Sequence, residues 1–294
     1  MERTLVVGVD GSPESRAAAG WAAREAVRRD LRVHLVHAWL WQPLALPVAQ
    51  DRTREERAAG DRRAQEVLDE AMSEVTCRHP GLTVTAELVP DAPVPALLHA
   101  ARDAETLVLG TRGRGALAGF LLGSTGQQLI GSAPCPVVSV RDRSGGAATG
   151  GDAVVVGQQG SAEESADVLR FAFEAAAARR APLRAVRAWS LPPVYGYSPG
   201  SMWIAGRLGG LEPYERAALE RALEPWRLKY PEVEVEARVE QDSAGHALLT
   251  AAADARLLVV GRRARVSALG ARTGSTAHAV LHHATCPVAV VPHA

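Results

Sequence analysis

The sequence predicts an α/β protein of two tandem doubly wound domains. Each is expected to be a five-stranded parallel sheet of order 3-2-1-4-5 with helices on both faces. Three observations carry this reading. Short apolar runs alternate with longer segments of helical periodicity, the pattern of parallel strands joined by crossover helices. A glycine-rich stretch follows the fourth run of each half: Gly110-Thr111-Arg112-Gly113 with Gly123-Ser124-Thr125, then Gly261 with Gly274-Ser275-Thr276. The same 13 positions separate Gly110 from Gly123 and Gly261 from Gly274, so the chain is an internal duplication.

The elements follow in order. Leu5 to Val9 is a short apolar strand ending on Asp10-Gly11-Ser12-Pro13. Ser12 suits a helix cap and Pro13 a first helical position, so a helix is expected from there to about Arg29. A second strand runs from Val33 to about Trp39. The loop from Trp41 to Gln50 leads into a charged helix over Asp51 to Val75, with Val67, Leu68, Ala71, Met72 and Val75 on its apolar face. Leu82 to Val89 is a third strand and Pro95 to Ala104 a third helix. Thr106-Leu107-Val108-Leu109 reads as a buried parallel strand. The glycine stretch comes next, then a helix over Gly126 to Ile130 that the Ser124 and Thr125 hydroxyls are placed to cap, then a strand at Pro136 to Val140.

Residues 142–151 are small, polar and glycine-rich and read as a linker between a domain at 1–141 and a second at 152–294. The pattern then restarts with Ala153 to Gly157 and Arg184 to Trp189. Equivalent positions lie 149 residues apart at Gly8 and Gly157 and 151 apart at Gly110 and Gly261, so few net insertions separate the halves. The least similar part is 190–210, rich in proline, glycine and aromatics, a loop that reads equally as a cover for the cleft or an interface and as mobile packing.

Composition sets outer bounds. The 294 residues suffice for two cores. Formal net charge is zero, with 33 basic and 33 acidic residues, so no global field recruits nucleic acid or an anionic membrane. No apolar run reaches membrane-spanning length, the N-terminus has no signal-peptide layout, and a cytoplasmic location is the default expectation. Lys229 is the only lysine, which excludes a Walker-type P-loop at either glycine stretch. Cys77, Cys135 and Cys286 make no disulfide framework; the latter two, each before a proline, read as small buried side chains.

In a doubly wound sheet, ligands bind beyond the carboxyl ends of the strands where strand order reverses. Asp10 and Gly110 end the two strands flanking that point. A glycine turn exposes successive peptide N–H groups to an anion, and the start of the following helix adds more. An acidic residue there accepts hydrogen bonds from ribose hydroxyls, and the exit of strand two offers backbone groups to a base edge. The three segments together describe a nucleotide site.

These motifs resemble those of the universal stress protein family, in its tandem form and ATP-binding branch. Gly8-Val9-Asp10-Gly11-Ser12, Gly110-x2-Gly113-x9-Gly123-Ser124 and the last Cys-Pro-Val strand carry the resemblance, which spans nearly all of both halves. It implies binding of ATP or a related adenine nucleotide, with or without magnesium. It also implies pairing of the two halves through their last strands as an internal pseudo-dimer, with a homodimer of chains as a further level. By the same resemblance Asp10, with Gly11 and Ser12 beside it, would hold ribose, and Ala38 would meet adenine through its backbone. Gly110, Gly113, Gly123, Ser124 and Thr125 would hold ribose and phosphates, with Arg112 and Arg114 in reach of phosphate.

The second half departs from the pattern. Gln159 stands at the Asp10 position and Ala264 at the Gly113 position, while Gly261, Gly274, Ser275 and Thr276 remain. One competent site and one weakened or empty site are therefore expected. His278, His282 and Cys286 are spaced by four, but the equivalent first-half residues Gln127, Gly131 and Cys135 do not repeat the set, so no metal site is expected. No nucleophile, base and orienting carboxylate recur at suggestive spacings, and no catalytic residue is nominated. Three readings stay open: a stress-response regulator with nucleotide as conformational ligand, a slow ATPase or self-phosphorylating protein using Ser124 or Thr125, and a nucleotide-free scaffold for an unknown protein partner.

Overall fold

The computed structural model describes residues 3–40, 50–111, 123–141, 151–190, 211–263 and 274–293, with backbone alone at 50–53. The expected loops at 41–49 and 191–210, most of the linker, and Arg112, Gly113, Arg114 and Ala264 lie outside the described residues. The chain divides into two units, Met1–Gly146 and Ala147–Ala294.

The first unit comprises β1 (Thr4–Gly8), α1 (Pro13–Arg29), β2 (Arg32–Ala38), α2 (Gln50–Arg78), β3 (Val84–Val89), α3 (Pro93–Ala100), β4 (Thr106–Thr111), α4 (Ser124–Ser132) and β5 (Val137–Arg141). Its strands lie in the order β3-β2-β1-β4-β5, and each described pair is parallel. The second unit comprises β6 (Val154–Gly157), α5 (Ala166–Arg179), β7 (Leu183–Trp189), α6 (Glu212–Lys229), β8 (Val235–Gln241), α7 (Ala244–Ala251), β9 (Leu257–Arg263), α8 (Ser275–His283) and β10 (Val288–His293). Its order is β10-β9-β6-β7-β8, again with parallel pairs.

Burial explains the strand sequences. β1 and β4 are covered on both faces, so Leu5, Val6 and Val7 and Leu107, Val108 and Leu109 are all buried and the runs are continuously apolar. Edge strand β3 alternates instead, with one face open. On α1, Ala18, Ala19, Trp21, Ala22, Ala23 and Ala26 form the buried stripe, and its alanines let the helix lie close to the sheet. The helix stops where Asp30 turns left-handed, φ 51°, with its N–H on Ala26 O. Cys135 and Cys286 are buried and Cys77 is exposed.

Two expectations need correcting. α3 begins earlier and ends earlier than expected, because Pro93 takes a first-turn position and the last helical bonds close at Ala101 and Arg102. At α4 the cap is Gly123, extended at φ −56° and ψ 159°, and Ser124 and Thr125 are the first helical residues, with no side-chain cap bond. Gly123 supplies the first helical carbonyl itself, accepting from Gln127 N at 3.0 Å. The same holds at Gly274 for α8, where His278 N donates at 2.9 Å.

The glycine at the end of β4 has a packing cause. A Cβ at Gly110 would stand 2.4 Å from the Glu14 carbonyl carbon and 2.6 Å from Ser15 N, both backbone atoms of the first turn of α1. Gly123 is the opposite case, with no described residue within 4 Å and a φ open to any residue. Gly110→Ala is expected to destabilise the first unit by roughly 2–3 kcal/mol. Gly123→Ala is expected to cost under about 1 kcal/mol, the scale of a weakened cap. Urea unfolding of the two variants beside the parent checks the contrast, and equal losses would contradict it.

Candidate functional site

The site of the first unit starts where β1 ends. Val9 N continues the ladder to Val36 O at 2.9 Å, and the buried His37 Nδ1 lies 2.6 Å from Val9 O. A carbonyl only accepts, so Nδ1 carries the proton. The chain then turns at Gly11, whose φ of +79° favours glycine, and a Cβ there would meet the Val67 side chain at 3.1 Å.

That turn places Asp10 against the start of α1. Its Oδ1 accepts from Ser12 N at 3.0 Å and from Ser12 Oγ at 2.5 Å. Ser12 Oγ in turn accepts from Ser15 N at 3.1 Å as the helix cap, and Asp10 N donates to Ser15 Oγ at 3.3 Å. Both of these bonds use Oδ1, and the side chain is exposed. Burial of the carboxyl pulls its pKa up. Hydrogen bonds from the Ser12 hydroxyl and amide, then Ser15 and charge on His37, outweigh it and leave the group below its ordinary 3.8. Asp10 is thus an ionised acceptor at neutral pH with one oxygen to spare.

The remaining predicted residues sit at the same end of the sheet. Ala38 closes β2 opposite Val89 of β3. Gly110 lies in β4 beside β1, against the Asp10–Ser15 turn. At α4 the first helical bond closes at Gln127, so the amides of Ser124, Thr125 and Gly126 have no acceptor within the helix. These amides and the helix dipole favour an anion, and the open space at Gly123 leaves room for one.

In the second unit Gln159, Gly261, Gly274, Ser275 and Thr276 all line one cavity of about 570 Å³, together with Ala188, Arg262, Arg263 and His293. The substitutions have not closed the crevice. They have rebuilt its floor with residues the sequence reading missed. Gln158, at the Val9 position and 3% exposed, donates through Nε2 to Ser165 Oγ at 3.1 Å and Gly160 O at 3.2 Å. Arg187, at the His37 position, donates through Nη1 to Gln158 Oε1 at 2.5 Å and to Gly160 O at 3.1 Å, and its Nε pairs with Glu215 of α6. Ser161 N donates to Glu164 Oε2 at 3.1 Å while Glu164 N donates to Ser161 Oγ at 3.2 Å, a capping box replacing the Asp10–Ser12 contact. The signal was available: a polar residue at a position that is apolar in the other repeat, with a cation at the partner position. The His278 and His282 ring centroids lie 4.1 Å apart with the rings tilted by 46°, and among the described residues no group of three or more His, Cys, Asp or Glu is placed to hold a metal.

The fold defines a duplicated α/β protein in which each unit opens a helix, α4 or α8, after the strand at its switch point. The chain belongs to the universal stress protein family, which matches residues 1–141 and 152–292. A universal stress protein of Mycolicibacterium smegmatis is 35% identical over 301 residues, covering 99% of this chain and 97% of the relative. One of Mycobacterium tuberculosis is 36% identical over 298 residues, covering 97% and 96%. The crystal structure of a universal stress protein from Archaeoglobus fulgidus shares the fold at TM-score 0.70 and 17% identity, covering 99% of this chain and 98% of that one. No helix among the described residues is long and apolar enough to cross a membrane.

The lowered pKa of Asp10 fixes a pH dependence. A carboxyl below its ordinary value adds stability above that value and loses it as pH falls through the folded pKa. Asp10→Asn keeps an acceptor oxygen and removes the charge. Its melting temperature is expected to fall below the parent's near neutrality and to converge on it below about pH 4, read by thermal scans from about pH 7 to about pH 3. A gap that stays constant with pH would contradict the assignment.

Proposed function

We propose that the first unit binds an adenine nucleotide, ATP foremost, and that the nucleotide is a conformational ligand of a stress-response regulatory protein. The observation that carries this reading is Gly123. Neither its φ nor its packing requires glycine, yet it stands before three helix-terminal amides without acceptors in the helix. A phosphate uses both the space and the donors. Asp10 Oδ2 supplies an acceptor for ribose hydroxyls, and the backbone at Ala38 supplies a base edge, as in the family resemblance. Arg112, Gly113 and Arg114 complete the phosphate contacts in this proposal. A cytoplasmic setting, where ATP is abundant, accords with it.

The Asp10 environment favours binding over turnover. A carboxylate whose pKa is lowered is a weaker base for activating a nucleophile near neutral pH. Magnesium enters with the nucleotide. If ATP stands about 100-fold above its dissociation constant, binding adds roughly 2.7 kcal/mol to the stability of the unit. That is enough to shift an interface for a protein partner.

Calorimetric titration of nucleotide-free protein with ATP and magnesium, beside Asp10→Ala and Gly123→Ala, tests the proposal. A methyl group in the space ahead of the α4 amides, or loss of the Asp10 acceptor, is expected to weaken first-unit binding at least about tenfold in the variant that carries it. No heat and no thermal shift in the parent, or unchanged affinity in both variants, would overturn it.

A further inference from the structure

The seam between α1 and α2 and its counterpart between α5 and α6 are built from different chemistry. Capping bonds set the alignment. Asp30 N donates to Ala26 O where α1 ends, and Arg180 N to Ala176 O where α5 ends. His79 N donates to Val75 O after α2, and Tyr230 N to Trp226 O after α6. Phe173 therefore stands at the Ala23 position, Trp226 at Val75 and Tyr230 at His79. In the second unit these rings stack across the seam, with centroids 6.0, 5.8 and 6.4 Å apart. Lys229 lies 5.5 and 5.3 Å from the Trp226 and Tyr230 centroids, and Arg170 lies 3.4 Å from Asp167 and 3.7 Å from Glu174. That seam is filled, and these two cations are matched.

In the first unit the same positions are small or polar, and arginines cover them. Arg16, Gly20, Arg24 and Arg28 follow one stripe of α1 at four-residue spacing. At 1.5 Å per residue the stripe is about 18 Å long. Arg16 and Arg24 line the seam with Arg78 and His79 from the end of α2. Arg24 Nη1 lies over Gly20, 3.5 Å from where a Cβ would be. Glu74 is the one carboxylate among the described lining residues, and it holds Arg78 at 3.0 Å. Arg28 is 3.8 Å from the buried Glu25, which Arg29 approaches to 4.0 Å. Among the described residues, no carboxylate lies within 4.0 Å of the Arg16 or Arg24 guanidinium. Arg24 is exposed, yet desolvation beside the seam, then the like charges of Arg28 and Arg78, press its pKa below the ordinary value. Arg78 and His79 also line a cavity of about 810 Å³, in which Val27 is 58% exposed and Leu82 half-buried.

Like charges gathered beside an exposed valine fit an occupant that brings carboxylates and an apolar side chain together. We infer that this face of α1 and α2 docks an acidic segment of a partner protein. Its carboxylates meet Arg16, Arg24 and Arg28, and an apolar side chain enters the cavity against Val27 and Leu82. About six extended residues, at roughly 3.3 Å each, match the length of the stripe. Nucleic-acid phosphates would leave Val27 and Leu82 unmatched, and a formal net charge of zero gives no long-range pull toward an anionic membrane. The cavity sits where Arg3, Arg32 and Thr83 lead into β1, β2 and β3, at the amino ends of the strands and opposite the switch point. The docking surface is therefore independent of the nucleotide reading.

The test uses the full chain and a fluorescein-labelled peptide, Glu-Glu-Leu-Glu-Glu-Leu, titrated by fluorescence anisotropy. The parent is expected to bind it, and the triple variant Arg16→Gln, Arg24→Gln, Arg28→Gln to bind at least about tenfold more weakly. The same peptide with glutamine for every glutamate is expected to lose at least about tenfold against the parent. Arg170→Gln, at the Gly20 position of the second unit, is expected to leave the affinity within about twofold. Arg24→Gln alone keeps most of the stem and removes a like charge, so its urea midpoint is expected to equal or exceed the parent's. A clear fall would make that guanidinium a structural cover and overturn the inference. So would no binding by the parent, or an affinity that the triple variant leaves unchanged. Tighter binding of oligothymidylate or of phosphatidylserine vesicles than of the peptide would overturn it too, by assigning the surface to another class of partner.

Discussion

The first unit is organised by one backbone contact. The end of β4 and the first turn of α1 touch main chain to main chain at Gly110, with no room for a single methyl group. This contact fixes where α1 starts relative to the sheet. The chain leaving β1 then has only Val9, Asp10, Gly11 and Ser12 in which to reach the helix, and it does so by a left-handed step at Gly11. So tight a turn leaves the amides of Ser12 and Ser15 needing acceptors. Asp10 Oδ1 and Ser12 Oγ supply them. The ionised carboxylate at the crevice is therefore a product of the packing that narrows the crevice.

The second unit shows the same constraint met differently. At Gly261 a Cβ would meet the His293 ring at 2.8 Å and a Val168 methyl at 3.0 Å, side chains and not helix backbone. Regular helix begins only at Ala166, after the capping box of Ser161 and Glu164. The acceptor for the turn has moved from the strand exit to Glu164, just ahead of the helix, which frees position 159 from that duty and leaves it exposed. Burying Gln158 beneath this turn would be costly alone. Its amide makes bonds to Ser165, Gly160 and Arg187, and Arg187 is balanced by Glu215. The four side chains therefore form one satisfied network beneath the turn.

Much of this was legible in the residues. Apolar runs covered on both faces announced the central strands, and Ser12-Pro13 and the start of α1 agreed because capping chemistry is local. The repeated glycine spacing pointed to the cavity of the second unit, which Gly261 and Gly274 line. Other features depended on distant partners. The glycine at 110 looked like a turn for a ligand, yet its reason is a helix some 95 positions earlier in the chain, where Glu14 and Ser15 press on it. Ser124 and Thr125 looked like caps, because hydroxyls at a helix start usually are. The cap is the glycine before them, a choice that local propensity does not favour. The Gln158–Arg187 pair is invisible to a scan of either residue and emerges only when the repeats are laid over one another.

Gly123 and Gly274 bear on function because of what they omit. A helix cap of serine or aspartate would satisfy a first-turn amide internally and occupy the space ahead of the helix. Both units forgo that side-chain bond at the equivalent position, at a cost of about a few tenths of a kcal/mol each. A protein that needed only a stable fold would recover it with one substitution, since no packing or φ stands in the way. That both repeats retain the bare cap, while diverging at Asp10 and Gln159 a few residues from the same crevice, separates two demands. Open space ahead of the helix, among the described residues, is common to both units; the side chain at the strand exit, Asp10 in one and Gln159 in the other, is not.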